Sequence, residues 1–219
     1  MFSQTDERNY LPVVEYSNSC WLVHCYLLDI MLTDTNGLLI GRPYLISVID
    51  IYSECYMGFH LSLKPPKART VLQALHHAIL PKYYDFQYNL SHDWITYGIP
   101  QALYTDRSNI MMQYYFQEKI HKLEIFLIHY QPTSWQLNLY EINQNSFLVF
   151  IKDYFNSIGN KAHRNCLNLD MVEKLLVRYI VDNYNQEINN SLSGITRQDK
   201  WQTGLKSAPQ IIQKDKLEI

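Results

Sequence analysis

Three apolar, aromatic-rich runs follow one another between Cys20 and Leu63, separated by two polar corners. Side chains that alternate or run apolar over such lengths, bounded by turn residues, predict strands. We place them near Trp21–Leu32, Leu38–Ile51 and Cys55–Leu63, paired as an antiparallel meander. Asn36–Gly37 supplies the positive φ angles of the first tight turn. Lys64, Pro65 and Pro66 end the third strand, because proline cannot donate to a ladder.

From Lys67 the period changes to that of a helix, with Val71, Leu72, Leu75, Ala78 and Ile79 on one face and Pro81 closing it. An irregular loop with aromatic anchors (Tyr83, Tyr84, Trp94, Tyr97) leads to a short strand, Ala102–Thr105. Ser108 or Asn109 is placed to cap a helix with Met111, Met112, Tyr115, Phe116 and Ile120 inward. A strand at Glu124–His129 and a long helix over about Gln136–Ser157 follow, stopped by Gly159–Asn160. The strongest stripe, Met171 to Ile180, predicts a helix over Leu169–Asn189. The order β-β-β-α-β-α-β-α, then a further helix, implies an α/β mixed sheet with helices on its faces.

The chain has 219 residues, room for one domain with a sizeable core. Residues 1–18 read as an extended lead-in, 19–190 as the core and 191–219 as a linker or tail holding a short helix and the apolar residues Trp201 and Leu205. A net charge of −2 lacks the basic signature of a dedicated DNA-binding domain, so nucleic-acid contact needs a local patch. Lys64, Lys67 and Arg69 form the best one. Four cysteines without a CxxC pair, a polar start and no run of membrane-spanning length point to reduced thiols in the cytoplasm, away from membrane.

Three stretches carry a resemblance. LLDIMLTDTNGLLIGRPYLISVIDIYSECYMGFHLSLKPP, ALHHAILPKYY and LLVRYIVDNYNQEINNSLSGITRQDKWQTGL resemble the TnsB/TniA-type transposases, relatives of the Mu transposase. The first carries GRP and VID-YS at that family's spacing, and the likeness extends over roughly Glu15–Pro209. It implies a ribonuclease H-like fold of the retroviral-integrase type, and an ancestral role in DNA integration, recombination and transposition. The family's chemistry is strand transfer by an Asp–Asp–Glu trio holding two Mg²⁺ ions.

Mapped residue by residue, the resemblance keeps one acid of the three. His24 stands at the first Asp position, in the triplet His24–Cys25–Tyr26. Asp106 matches the second acid, although Arg107 and Ser108 replace the small residues expected after it. Leu139 falls at the Glu position; Glu141 is the nearby acid, but two residues along a helix is a rotation of about 200°. Imidazole is a poor Mg²⁺ ligand. The resemblance therefore implies an impaired strand-transfer enzyme with no Mg²⁺ bound. Two alternatives stand beside it. One is a non-catalytic protein that binds an intact transposase or its ATPase partner. The other is an active enzyme with an acid relocated to Asp29 or Glu141.

Other clusters have blander readings. His24, Cys20, Cys25 and Cys55 follow no zinc spacing. His76 and His77 point about 100° apart on a helix, with His77 read as surface. Asp50 in the VID-YS corner reads as a structural hydrogen-bonding residue.

Overall fold

The structure is a computed structural model. It describes residues 14–106, 108, 110–130, 134–157, 167–188 and 194–212, with only the backbone for 130 and 134–144. Its centre is a five-stranded mixed sheet in the order β5-β4-β1-β6-β7. The strands are β1 (Cys20–Leu27), β4 (Tyr44–Asp50), β5 (Tyr56–Ser62), β6 (Ala102–Asp106) and β7 (Phe126–Tyr130). β4 pairs antiparallel to both β1 and β5, while β6 runs parallel to β1 and to β7. The helices are α1 (Ala68–Ile79), α2 (Tyr114–Lys122), α3 (Ser134–Ser157), α4 (Leu169–Arg178) and α5 (Arg197–Thr203).

The meander is present, with each of its first two long strands split. β1 stops at Leu27, and the Asn36–Gly37 turn belongs to a small separate hairpin of β2 (Leu32–Thr33) and β3 (Leu39–Gly41). Gly41 at φ +119° turns the chain out of the strand, and Pro43 has no N–H to continue a ladder. The turn itself is held by Asp34, whose Oδ1 accepts from the N–H groups of Asn36 and Leu38.

α1 lies directly on β5. A Cβ built on Gly58 would come 2.5 Å from the Ala78 nitrogen, so the pair Gly58/Ala78 sets how closely helix and sheet approach. Under α1, Trp21, Val48, Met57, Leu72 and Leu75 form one core, which Trp201 of α5 also enters. On the opposite face, α3 and α4 bury Phe147, Ile151, Val172 and Leu176 against Leu45, Ile49 and Phe59.

Three element boundaries differ from expectation. α2 begins at Tyr114 with Gln113 as an uncapped start. Ser108 instead begins a turn, its carbonyl accepting from the Met112 N–H, and Met112 and Tyr115 are exposed. Asn109 lies outside the described residues. Glu124 sits in a turn at φ +58°, so β7 starts at Phe126. The last long helix is α-helical to Arg178 and then widens into a π turn over Tyr179–Tyr184. Gly159 and Asn160, and the start of the linker at 189–193, lie outside the described residues.

Candidate functional site

The starting end of β1 is tied by a buried carboxylate. Asp50 Oδ1 accepts from the Asn18 N–H at 2.8 Å, and Oδ2 accepts from the Ser53 N–H at 2.9 Å and the Ser53 hydroxyl at 2.7 Å. Burial raises its pKa to about 6, opposed by those hydrogen bonds and by Lys200. Asn18 extends the knot: its Oδ1 accepts from the indole N–H of both Trp21 and Trp201, and its Nδ2 donates to the Tyr97 carbonyl. Asp50 is thus a structural hydrogen-bonding residue, as its corner position suggested. Asn185, delivered by the π turn, accepts from the Tyr56 N–H at 3.0 Å.

The catalytic positions of the resemblance fall at the other end of the same strands. β1 and β6 pair in parallel at Cys20/Ala102, Trp21/Leu103 and Leu22/Tyr104, so two residues further on His24 and Asp106 are level. Side chains alternate along a strand. Both residues therefore share the face that carries Cys20, Leu22, Ala102 and Tyr104. Cys25 takes the opposite face and packs toward the core under α1. The positions of the first and second acid are thus brought together as neighbours on adjacent strand ends.

Their chemistry is unequal. Asp106 Oδ1 accepts from the Ser108 N–H at 3.0 Å and fixes the turn out of β6. The His24 ring stacks on Tyr26 at 5.6 Å. Burial lowers the His24 pKa to about 4, and the Asp106 charge only partly opposes it, so the imidazole is neutral at neutral pH. Burial, reinforced by Asp106, pushes the Cys25 thiol up to about 12. Mg²⁺ prefers hard oxygen donors in near-octahedral geometry. Among the described residues, the desolvated neutral imidazole and the single carboxylate at these strand ends do not fit that ion.

The remaining site residues separate. Asp29 lies past the end of β1, largely exposed, and pairs with Arg42 at 3.2 Å. The α3 backbone runs through 139 and 141, but the side chains of Leu139 and Glu141 lie outside the described residues, as does Arg107. Lys64, Lys67 and Arg69 are exposed at the β5–α1 junction. The register Leu27/Tyr44/Ser62 puts that junction at the same end of the sheet as His24. Among the described residues, no three of His, Cys, Asp and Glu are grouped to hold a metal ion.

Sequence reasoning misjudged His77. Its Nδ1 accepts from the Phe59 N–H at 3.0 Å, its Nε2 meets the Tyr84 hydroxyl at 2.9 Å, and burial lowers its pKa to about 3. A histidine one turn before the end of a helix that lies on a strand was a usable signal. Tyr83 was misjudged the other way: it is 92% exposed.

A mixed sheet ordered in this way, with helices on its faces, defines the class of ribonuclease H-like folds. Solved structures of that class superpose on it. The HTLV-2 integrase catalytic core domain in complex with magnesium, in its trimeric form, matches at a TM-score of 0.53 and 17% identity, covering 84% of this chain and 97% of that one. A chain of the simian T-cell lymphotropic virus intasome, in complex with the PP2A regulatory subunit B56 gamma, matches at 0.60 and 16% identity, covering 94% and 61%.

Residues 24–136 match the TnsB C-terminal domain, and the chain belongs to that transposase/integrase family. Two relatives agree. The transposase for transposon Tn552 of Staphylococcus aureus is 25% identical over 190 residues, 84% of this chain and 37% of that protein. The Tn7 transposition protein TnsB of Escherichia coli is 33% identical over 90 residues, 38% of this chain and 13% of that protein. The chain therefore spans well under half the length of either relative. No described helix is long and apolar enough to cross a membrane.

Proposed function

We propose that the chain is a transposase catalytic core that serves DNA integration and transposition in the cytoplasm, and that its own strand transfer is impaired. The observation that carries this reading is a neutral His24 standing level with Asp106 on the neighbouring strand, where two acids are required. A two-metal displacement needs both strand-end carboxylates to neutralise the attacking and leaving oxygens. With Leu139 at the third position as well, no Mg²⁺ is held. DNA contact falls to Lys64, Lys67 and Arg69, whose exposure at the same sheet end suits them to phosphates.

The test is calorimetric titration of the purified chain with Mg²⁺ and Mn²⁺, with Asp106→Ala as control. We expect no binding by a cooperatively folded protein. Micromolar binding lost in Asp106→Ala would overturn the reading and restore an active enzyme with a relocated acid.

The second reading is a non-catalytic protein that binds an intact transposase or its ATPase partner. The interlocked hydrogen bonding of Asp50 and Asn18 favours it, since a framework this well kept suits a binding role that needs no metal. Metal-independent association with an intact transposase, measured by sedimentation, distinguishes it.

A further inference from the structure

The connection 80–101 between α1 and β6 holds a single 3-10 turn, Phe86–Tyr88. Loops past about 12–15 residues without structure of their own are uncommon and usually functional. This one is tied down along its length. The Lys82 ammonium donates to the carbonyls of Ala78, Leu80 and Thr96. The Trp94 indole donates to Thr96 Oγ1 and the Tyr56 carbonyl. Asp182 accepts from the N–H groups of Ser91 and His92.

The loop frames an open cavity of about 690 Å³. Tyr84 and Trp94 stand in its wall with ring centroids 6.1 Å apart, and Tyr88 backs Tyr84 from outside it at 4.5 Å. Two further rings of its lining, Tyr83 and Phe86, are 92% and 89% exposed, the highest values among the large hydrophobic side chains of the described residues. Holding two rings in water on a rigid loop does nothing for the fold, and such apolar exposure marks interaction sites.

Charge decides the occupant. Asp85 and Asp93 line the cavity and are both exposed. The one lysine of the lining, Lys82, is half-buried with its protons on three carbonyls, and His92 faces Asp182 at 3.2 Å. The accessible field is negative, which repels phosphate and attracts cations. Cations also favour the faces of exposed aromatic rings.

We propose that this cavity docks a basic peptide segment of a partner protein, with a Lys or Arg side chain across Tyr83 and Phe86 and its charge beside Asp85 and Asp93. The site is independent of strand transfer, and it stands whether or not His24 and Asp106 support catalysis.

The test selects random displayed dodecapeptides on the full chain, then measures fluorescence anisotropy of a labelled selected peptide. The expected result is enrichment of net-positive sequences whose affinity falls at least tenfold in both Tyr83→Ala/Phe86→Ala and Asp85→Asn/Asp93→Asn. These variants change exposed groups, and the amide oxygen introduced by Asp85→Asn can still accept from the Gln87 N–H, so thermal melts should match the parent. Enrichment of neutral or acidic peptides, no enrichment, or basic peptides indifferent to either variant would overturn the proposal. So would binding of a labelled oligothymidylate that the aromatic variant abolishes, which would make the cavity a nucleotide-stacking surface.

Discussion

The two ends of the central sheet carry acids in opposite circumstances: Asp50 closes β4 at one end and Asp106 closes β6 at the other. At the first end Asp50 is fully buried and answered by Asn18 and Ser53, with two tryptophans brought onto the same asparagine. At the other end Asp106 is half-buried and level with His24, the position to which the resemblance assigns a second carboxylate. A corner whose hydrogen bonds interlock cannot lose a member without leaving a buried polar group unsatisfied. A metal-holding end can lose a carboxylate without that penalty, because the acids repel one another when no ion separates them. The interlocked corner belongs to the fold, and the other end is where the proposed function places the change in chemistry.

The largest break in that contrast should come from Trp201→Ala. It empties a core position and removes one donor to Asn18, so we expect a loss of about 3–5 kcal/mol by urea denaturation. A loss under about 1 kcal/mol would detach α5 from the domain core.

Next is the pH response of Asp50. Its folded pKa of about 6 lies above the ordinary aspartate value of 3.8, so the folded protein binds more protons between those values. Its contribution to stability is greatest below about pH 4 and is lost as the pH rises through 6, by something on the order of 3 kcal/mol. The difference in stability between the parent and Asp50→Asn, followed from pH 4 to 7, should move in that direction. A flat difference would place the carboxylate in contact with water.

Asn185→Ala should cost about 1–3 kcal/mol, because the buried Tyr56 N–H loses its acceptor. At the other end of the sheet, Asp106→Asn keeps the acceptor for the Ser108 N–H and should change stability by less than about 0.5 kcal/mol. A cost as large as that of Asn185→Ala would erase the distinction between the two ends.

The sequence told most where one periodicity ran unopposed. The face Val71, Leu72, Leu75, Ala78, Ile79 is buried as its spacing required, and α4 follows its stripe. It told least where a single residue overrode the pattern. Gly41 and Pro43 cut an apolar run that reads as one strand, and Asn185 bonds to Tyr56 across the sheet from a turn wider than an α-helix. The level positions of His24 and Asp106 followed from aligning strand order with a known family. The cavity of the 80–101 loop had no such guide: whether Tyr83 or Tyr84 points inward depends on Lys82 and Trp94, and adjacent tyrosines look alike in a sequence.

Asn18 joins residues that the ribosome delivers at very different times. Its side chain meets Trp21 almost at once, but its second indole partner lies 183 positions later in the chain. Strand β1 must also wait for β6 before its parallel neighbour exists. The first half of the sheet therefore emerges with one edge open and one corner unfinished, a state prone to mispairing. The corner can be completed only after α5 has been synthesised, because Trp201 brings the second donor to Asn18.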